Sequence, residues 1–407
     1  MKTKIQTIVI ISIILLTSNI LDCNLISPLV FKVVRFPIIA VLCFLLLKRH
    51  NWKQKRMLFA KDIKWTMIVP CLSWISAILI WGQSPFASFV ACAQIYIFLL
   101  YFFCFAYDVS EQILLKIFAS FTIVVFLIQI YEQFITSPPF LFGGIDGEYG
   151  WIKRGLVYRI SILTNITIIV LFYYWIKLLR GENKYISLFF FVVGLMLAYF
   201  SCTRQIIIAT LIGLIYAAIK NSRRRKGAIL IIGMCVVLLY AYGGFLFESL
   251  LELSKSQMEE DSFGGRNDSY AFYWNKIVTE PLTFLLGSGK AYGGEYERVM
   301  FSWTDAQKHI LVDIGHIGEW FLFGIGYMIV FFTMQYKLLI KYRKYLSDYL
   351  VCYFLYINII GFMIAPYANM ELICATALGY YLADKDIQKN KMRSLAQQYN
   401  EPHTFIH

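Results

Sequence analysis

Residues 185–219 read YISLFFFVVGLMLAYFSCTRQIIIATLIGLIYAAI, an apolar run with one charge, Arg204, near its middle. A single helix through it would be about 50 Å long, against a bilayer hydrocarbon core of about 30 Å. The run therefore folds back at Ser201-Cys202-Thr203-Arg204 into two antiparallel apolar helices. The pattern repeats in both directions. Stretches at 7–23, 29–47, 65–82, 86–107, 113–135, 160–177, 185–202, 205–219, 227–246, 316–336, 349–366 and 367–383 give about twelve candidate spans, near the roughly 20 residues that crossing a bilayer requires. The last two divide at Pro366, where the missing backbone donor favours a turn. Of 407 residues, 59% are hydrophobic and 15% charged, whereas soluble domains carry about 25% charged residues. The expected fold is all-α, a polytopic transmembrane helical bundle forming a single integral membrane domain over residues 1–407.

The net charge of +13 is not distributed as a nucleic-acid surface would be. Basic residues cluster at Lys48 to Lys64, Lys177 to Lys184, Lys220 to Lys226, Lys337 to Lys344 and after Asp384. These are connections between spans, so the excess follows the positive-inside bias of cytoplasmic loops. Lys2 and Lys4 fall on the same side, which sets both termini in the cytoplasm and makes 384–407 a cytoplasmic tail, expected to be partly disordered. The expected environment is the lipid bilayer, with no nucleic acid as partner. The first apolar stretch reads as a retained span, because Asp22 spoils Leu21-Asp22-Cys23 as a lipobox and no small-x-small site precedes it. Most of the nine cysteines lie in apolar runs without metal spacing. They read as small hydrophobes, with no disulfide framework, metal or other cofactor implied.

This orientation leaves four segments on the outer face: the loop 136–159, the turn at Arg204, the long segment 246–315, and the turn from Pro366 to Glu371. The third is the one sizeable polar stretch, and chemistry is expected there. Asp305, His309 and Asp313 recur every four residues and so share a helical face. A carboxylate beside a histidine orients the imidazole for general-base work. The plainer reading is a solvated helix start, and it is the one adopted for His316. Gly315 and Gly318 would let the following span pack closely. Arg266 follows Gly264-Gly265 and precedes Tyr270, Tyr273 and Trp274, a pattern suited to an amphipathic helix lying on the membrane. Arg204 either snorkels to water or holds a phosphate with its planar fork. Arg154 and Arg159 are a second anion-facing cluster or plain surface charge. Glu259-Glu260-Asp261 read as a solvated run, and Glu371 stays open. No phosphate-binding Gly-rich loop and no Ser-His-Asp order is present, so the sequence indicates no ATP-driven mechanism.

Taken together, these features resemble the O-antigen polymerase and O-antigen ligase superfamily of bacterial envelope glycosyltransferases. The resemblance covers the architecture of the whole chain and specific residues in 150–165, 201–210 and 264–320. The late-loop pattern is an arginine, a tryptophan, a Gly-x-Gly turn after a proline, and a histidine opening a helix that ends in glycines. Here these are Arg266, Trp274, Pro281 with Gly287 and Gly289, and His309 with Gly315 and Gly318. Thr203-Arg204 matches the arginine at the periplasmic end of a tight hairpin. Arg154-Gly155-Leu156, with Asn165 further on, matches the arginine of an earlier loop. His309-Ile310 departs from the His-Asn pair of the ligase branch, which favours the polymerase branch.

The resemblance implies a GT-C-like bundle in the bacterial cytoplasmic (inner) membrane, with 246–315 as a periplasmic loop carrying short helices. It implies metal-independent, inverting transfer of an oligosaccharide from undecaprenyl diphosphate to another lipid-linked repeat unit. A chain-length regulator protein is an implied partner. His309, with Asp305 or Asp313, would be catalytic, while Arg204, Arg266, Arg154, Arg159 and Trp274 would bind diphosphate or glycan. Two alternatives stay open. One is a ligase that moves finished polymer onto a lipid core. The other is a non-enzymatic transporter of polysaccharide or lipid-linked glycan, for which internal repeats and ionisable groups near the bilayer midplane are expected. No internal repeat is seen, although Lys32, Arg35 and Glu371 leave room for a pathway.

The orientation is directly testable. A topology reporter fused near Lys226 is expected to read cytoplasmic and one near Glu260 to read periplasmic; reversed signals would overturn the placing of every candidate site residue.

Overall fold

The hairpin at 201–204 is present: one helix ends at Phe200, Cys202 takes a positive φ of 48°, and the next helix starts at Arg204. The computed structural model describes residues 2–18, 20, 23, 28–49, 57–136, 139–142, 153–154, 157–160, 162–221, 233, 262–294, 296–297, 311–367 and 369–400. Among them the helices are α1 (Lys2–Thr17), α2 (Pro28–Lys48), α3 (Ala60–Trp81), α4 (Pro85–Tyr107), α5 (Glu111–Ile135), α6 (Thr164–Arg180), α7 (Lys184–Phe200) and α8 (Arg204–Lys220). They continue with α9 (Ser262–Thr279), α10 (Pro281–Leu286), α11 (Gly315–Lys341), α12 (Asp348–Gly361) and α13 (Met370–Asn400). Strands β1 (Lys153–Arg154) and β2 (Val157–Tyr158) form one short antiparallel pair, with Arg154 opposite Val157. Each expected span from 7–23 to 205–219, and from 316–336 to 367–383, overlaps a helix, and all of 227–246 except residue 233 lies outside the described residues.

Four of these helices, α3, α4, α5 and α11, are long and apolar enough to cross a membrane. Shorter apolar helices run over Gln6–Thr17, Phe36–Lys48, Lys184–Phe200 and Asp348–Gly361. This is the composition of a membrane protein. Local sequence starts the helices in familiar ways. Ser84 accepts a hydrogen bond from the Ala87 N–H (3.1 Å), with Pro85 in the first turn, and Ser110 accepts from the Ile113 N–H (3.2 Å).

The core sits around α4 and α13. Every residue from Glu371 to Asp384 is buried, as expected of a helix enclosed on all sides. α13 packs on α1, α4, α6 and α12; α5, α6, α7, α8 and α12 form one flank, and α3, α9, α10 and α11 another. The expectation of a partly disordered tail from residue 384 needs correction. α13 runs unbroken to Asn400, with Gln388 bonded to Asp384 (2.6 Å) and Asn390 to Asp386 (3.0 Å), one turn apart in each case. No helix breaker falls in that stretch. Residues 401–407 lie outside the described residues.

The connections with basic clusters meet at one end of the bundle. Asp348 receives Lys220 (2.6 Å), Arg343 (3.3 Å) and Arg180 (3.4 Å). Lys337 pairs with Asp62 (2.7 Å), and Lys385 with Asp108 (2.8 Å). These contacts tie the ends of α3, α4, α6, α8, α11 and α12 together.

α11 is interrupted, which the uninterrupted span expected at 316–336 missed. At Gly324 φ is 71° and ψ is −174°, a conformation essentially reserved for glycine. The break frees the carbonyls of Phe321 and Leu322, and the turn after α10 supplies their partners. Ser288 N–H donates to Phe321 O (2.6 Å), and Gly289 N–H donates to Leu322 O (3.0 Å). Backbone meets backbone here, because a Cβ on Gly324 would lie 2.4 Å from Leu285 O and one on Gly287 would lie 2.3 Å from Leu322 O. Gly324→Ala is therefore expected to lower the melting temperature of the detergent-solubilised protein clearly, since such backbone strain alone costs about 1–3 kcal/mol. Gly326→Ala, whose Cβ would meet only the Val69 side chain, at 3.3 Å, should shift it far less. Equal melting temperatures would contradict the interlock.

Candidate functional site

The end opposite the basic cluster is assembled by polar side chains that reach across the bundle. α6 begins at Thr164 after Leu163, which lacks a side-chain cap. Its free N–H groups are met from α13: Glu371 Oε1 accepts from Asn165 N–H (2.9 Å) and Ile166 N–H (3.3 Å). Glu371 Oε2 accepts from the Asn165 side-chain amide (2.5 Å), and Asn165 Oδ1 accepts from the Tyr356 hydroxyl (3.2 Å). A carboxyl at the positive end of a helix is favourably placed.

The neighbouring loop is pinned by the end of α5. Gln129 donates to Ile160 O (2.8 Å), and Gln133 exchanges two hydrogen bonds with the Tyr158 backbone (2.6 and 2.8 Å). Buried Glu132 accepts from Leu141 N–H (2.9 Å). Ile160 N–H in turn donates to Phe200 O (3.4 Å). That bond sets the segment after β2 against the hairpin; Arg159 is exposed, and Arg204, the first residue of α8, is half-buried. Arg154 is in β1, but its side chain lies outside the described residues.

A second part of this end is built on α11. Glu319 is fully buried; its Oε1 accepts from Tyr367 N–H (2.7 Å), and its Oε2 has no partner among the described residues. Gln94 donates to Tyr367 O (2.6 Å), so both backbone groups of Tyr367 are held. His316 is also buried. Its Nδ1 pairs with the Tyr327 hydroxyl (3.1 Å), and its ring packs on Phe331 (4.6 Å) and Phe362 (5.6 Å). The reading of His316 as a solvated helix start is thus wrong. Gly315 and Gly318 do allow the close approach expected of them: a Cβ on Gly315 would fall 2.3 Å from Gly361 O.

Over α11 lies α9. Tyr273 packs against Phe321 (4.9 Å), Trp274 meets Trp320 edge-on (5.7 Å), and the Tyr270 hydroxyl donates to Phe362 O (2.9 Å). The chain after α10 is fixed to the end of α3 and the turn that follows it. Trp81 donates to Ser288 Oγ (2.9 Å) and stacks on Tyr296 (4.4 Å), while Gln83 holds Lys290 O (3.0 Å) and Tyr292 N–H (2.9 Å). Burial pushes the Tyr296 hydroxyl well above its ordinary pKa, and it donates to Gly289 O (2.8 Å).

The proposed acid–base residues are divided. Asp305 and His309 lie outside the described residues, as does the side chain of Arg266, whose backbone is in α9. Asp313 is half-buried in a 3-10 turn, Leu311–Ile314, and α11 starts only at Gly315 with φ of 51°. The helix expected to carry the Asp-His-Asp stripe does not continue regularly into the span. The structure joins the segment that carries Arg159 to the hairpin before Arg204 through the Ile160–Phe200 backbone bond, and brings Trp274 to Trp320 near the start of α11. The sequence reading left Glu371 open and overlooked Glu319, although an isolated acid within an apolar run is itself a signal. No protein-family model and no curated protein matches this chain.

Glu371→Ala would leave at least two buried N–H groups unpaired, at about 1–3 kcal/mol each. A marked fall in melting temperature is expected, with Glu371→Gln in between because it keeps one acceptor oxygen. Unchanged stability of the alanine variant would mean that Glu371 does not cap α6.

Proposed function

We propose that the chain is a membrane glycosyltransferase, an oligosaccharide repeat-unit polymerase acting at the periplasmic face of the bacterial cytoplasmic membrane. The observation that carries this reading is the two-ended charge pattern. Segments bearing Arg159 and Arg204 meet at the end remote from the Asp348 cluster. Arginines there suit a lipid-linked diphosphate, because the guanidinium donates two parallel hydrogen bonds to phosphate oxygens.

In this reading a base takes the proton of an acceptor hydroxyl, and that oxygen attacks the anomeric carbon of the donor. The bond from that carbon to the diphosphate breaks, inverting the centre, and undecaprenyl diphosphate leaves with the electron pair. Arg204 and Arg266, with Arg154 and Arg159, stabilise the leaving charge. His309 is the proposed base, with Asp305 or Asp313 as its partner, and Trp274 borders the glycan.

A transporter of lipid-linked glycan is the second reading. It is favoured by the break in α11 at Gly324 and by buried Glu319, since discontinuous helices and intramembrane acids mark transport sites. Purified protein in vesicles with lipid-linked repeat units separates the two: longer glycan forms only if the chain is a polymerase.

Arg204→Lys and Arg266→Lys keep charge but lose the fork. Each is expected to lower the polymerisation rate by about 10²-fold, the scale of a lost charge-stabilising donor, at unchanged membrane abundance. His309→Ala should accumulate single lipid-linked repeats, and wild-type activity should fall as pH drops through about 6.5. Normal polymer from both lysine variants removes the diphosphate role. Normal polymer from His309→Ala, with loss in Asp305→Ala or Asp313→Ala, makes a carboxylate the base.

A further inference from the structure

The face of α9 that turns away from the bundle is not uniformly polar. Successive residues on a helix are about 100° apart, so each run of three samples three flanks. Tyr273, Trp274 and Asn275 are respectively buried, exposed and exposed, and Ile277, Val278 and Thr279 repeat the order one turn later. The helix thus has one flank on the protein, an adjoining exposed apolar flank, and a polar flank beyond it. That succession is what a helix at a lipid–water boundary needs, with protein, acyl chain and water each meeting a matching side.

Three observations identify lipid as what covers the apolar flank. The patch is continuous with surfaces of candidate spans. α10 packs on α3 and α11, and Phe284 of α10 packs on Trp320 of α11 (5.3 Å), which also donates to Phe284 O (3.1 Å). Apolar side chains project outward along the same belt: Leu79 of α3 is 70% exposed, Val278 57% and Leu285 55%. Finally, Trp274 and Trp320 meet at its edge, and tryptophan is enriched where bilayer and water meet. The cation of α9 at this level, Lys276, is paired with Glu280 (3.1 Å) on a different flank.

We propose that α9 and α10 form a lipid-binding surface, seated in the interfacial zone of the bilayer with Trp274, Val278 and Leu285 against phospholipid. The polar segment 246–315 is then held down on the membrane over 262–286 instead of projecting from it. The inference does not depend on the reaction assigned to the chain, except that it sets Trp274 against lipid in place of the glycan.

A benzophenone amino acid incorporated at Val278, Leu285, Asn275 or Leu79 tests this in the full-length protein. The vesicles contain phosphatidylethanolamine and phosphatidylglycerol, and mass spectrometry reads addition of one phospholipid after illumination. Leu79 calibrates lipid contact, and a monodisperse elution profile shows that each variant is folded. If the Val278 variant fails that check, Trp274 replaces it. Adducts from 278 and 285 at the level of 79, with few from 275, are expected. Adducts at 79 with none at 278 and 285 overturn the proposal. So does a covalent pair of chains formed from 278 or 285, which would assign the patch to a second copy.

Discussion

A backbone N–H or C=O withdrawn from water without a partner costs several kcal/mol, and an apolar bundle offers no solvent to make up the loss. Helix ends and helix breaks are where such groups arise, and this bundle is organised by how it meets them. α13 supplies much of the answer. Glu371 accepts from the start of α6, Asp384 from Leu58 N–H (2.8 Å) just before α3, and Asp386 from Ser347 N–H (2.5 Å) at the start of α12. One central helix thus completes the ends of three others. The turn after α10 does the same for the broken α11 with backbone donors. Removing either device would leave polar groups buried with nothing to bind.

The same requirement separates scaffold from candidate chemistry. Glu371 is fully engaged by Asn165 and Ile166, and His316 is enclosed by Tyr327, Phe331 and Phe362. Groups so enclosed hold geometry. Arg159 is exposed and Arg204 half-buried, so both reach the surface where these enclosed groups do not.

Much of the architecture was legible because it is local. Apolar run length gave the helices, Arg204 gave the hairpin, and Pro366 lies in the turn between α12 and α13. Basic clusters gave the common end where Arg180, Lys220 and Arg343 converge on Asp348. What the sequence hid is long-range or conformational. Glu371 and Asn165 are 206 positions apart, and no periodicity links them. The break at Gly324 follows from what the Gly287-Ser288-Gly289 turn presents to it, and a glycine in an apolar run does not announce that. Asp384 and Asp386 lie only two positions apart in a stretch read as tail. On a helix, however, the two carboxyls point to different neighbours, and each caps a separate helix. The tail was misread because polarity alone was taken for disorder.

These two levels meet in α13. Its Glu371 works at the end that carries Arg159 and Arg204, while Asp384 and Asp386 work at the basic end, about 20 Å along the same helix. A buried helix of that length does not bend freely, so the start of α6 is fixed relative to the ends of α3 and α12. The basic end therefore also braces the opposite end. On this view the two ends of the bundle share one structural element. A change at Asp384 would be felt at the remote end without any contact to a ligand, because the packing of α13 is common to both.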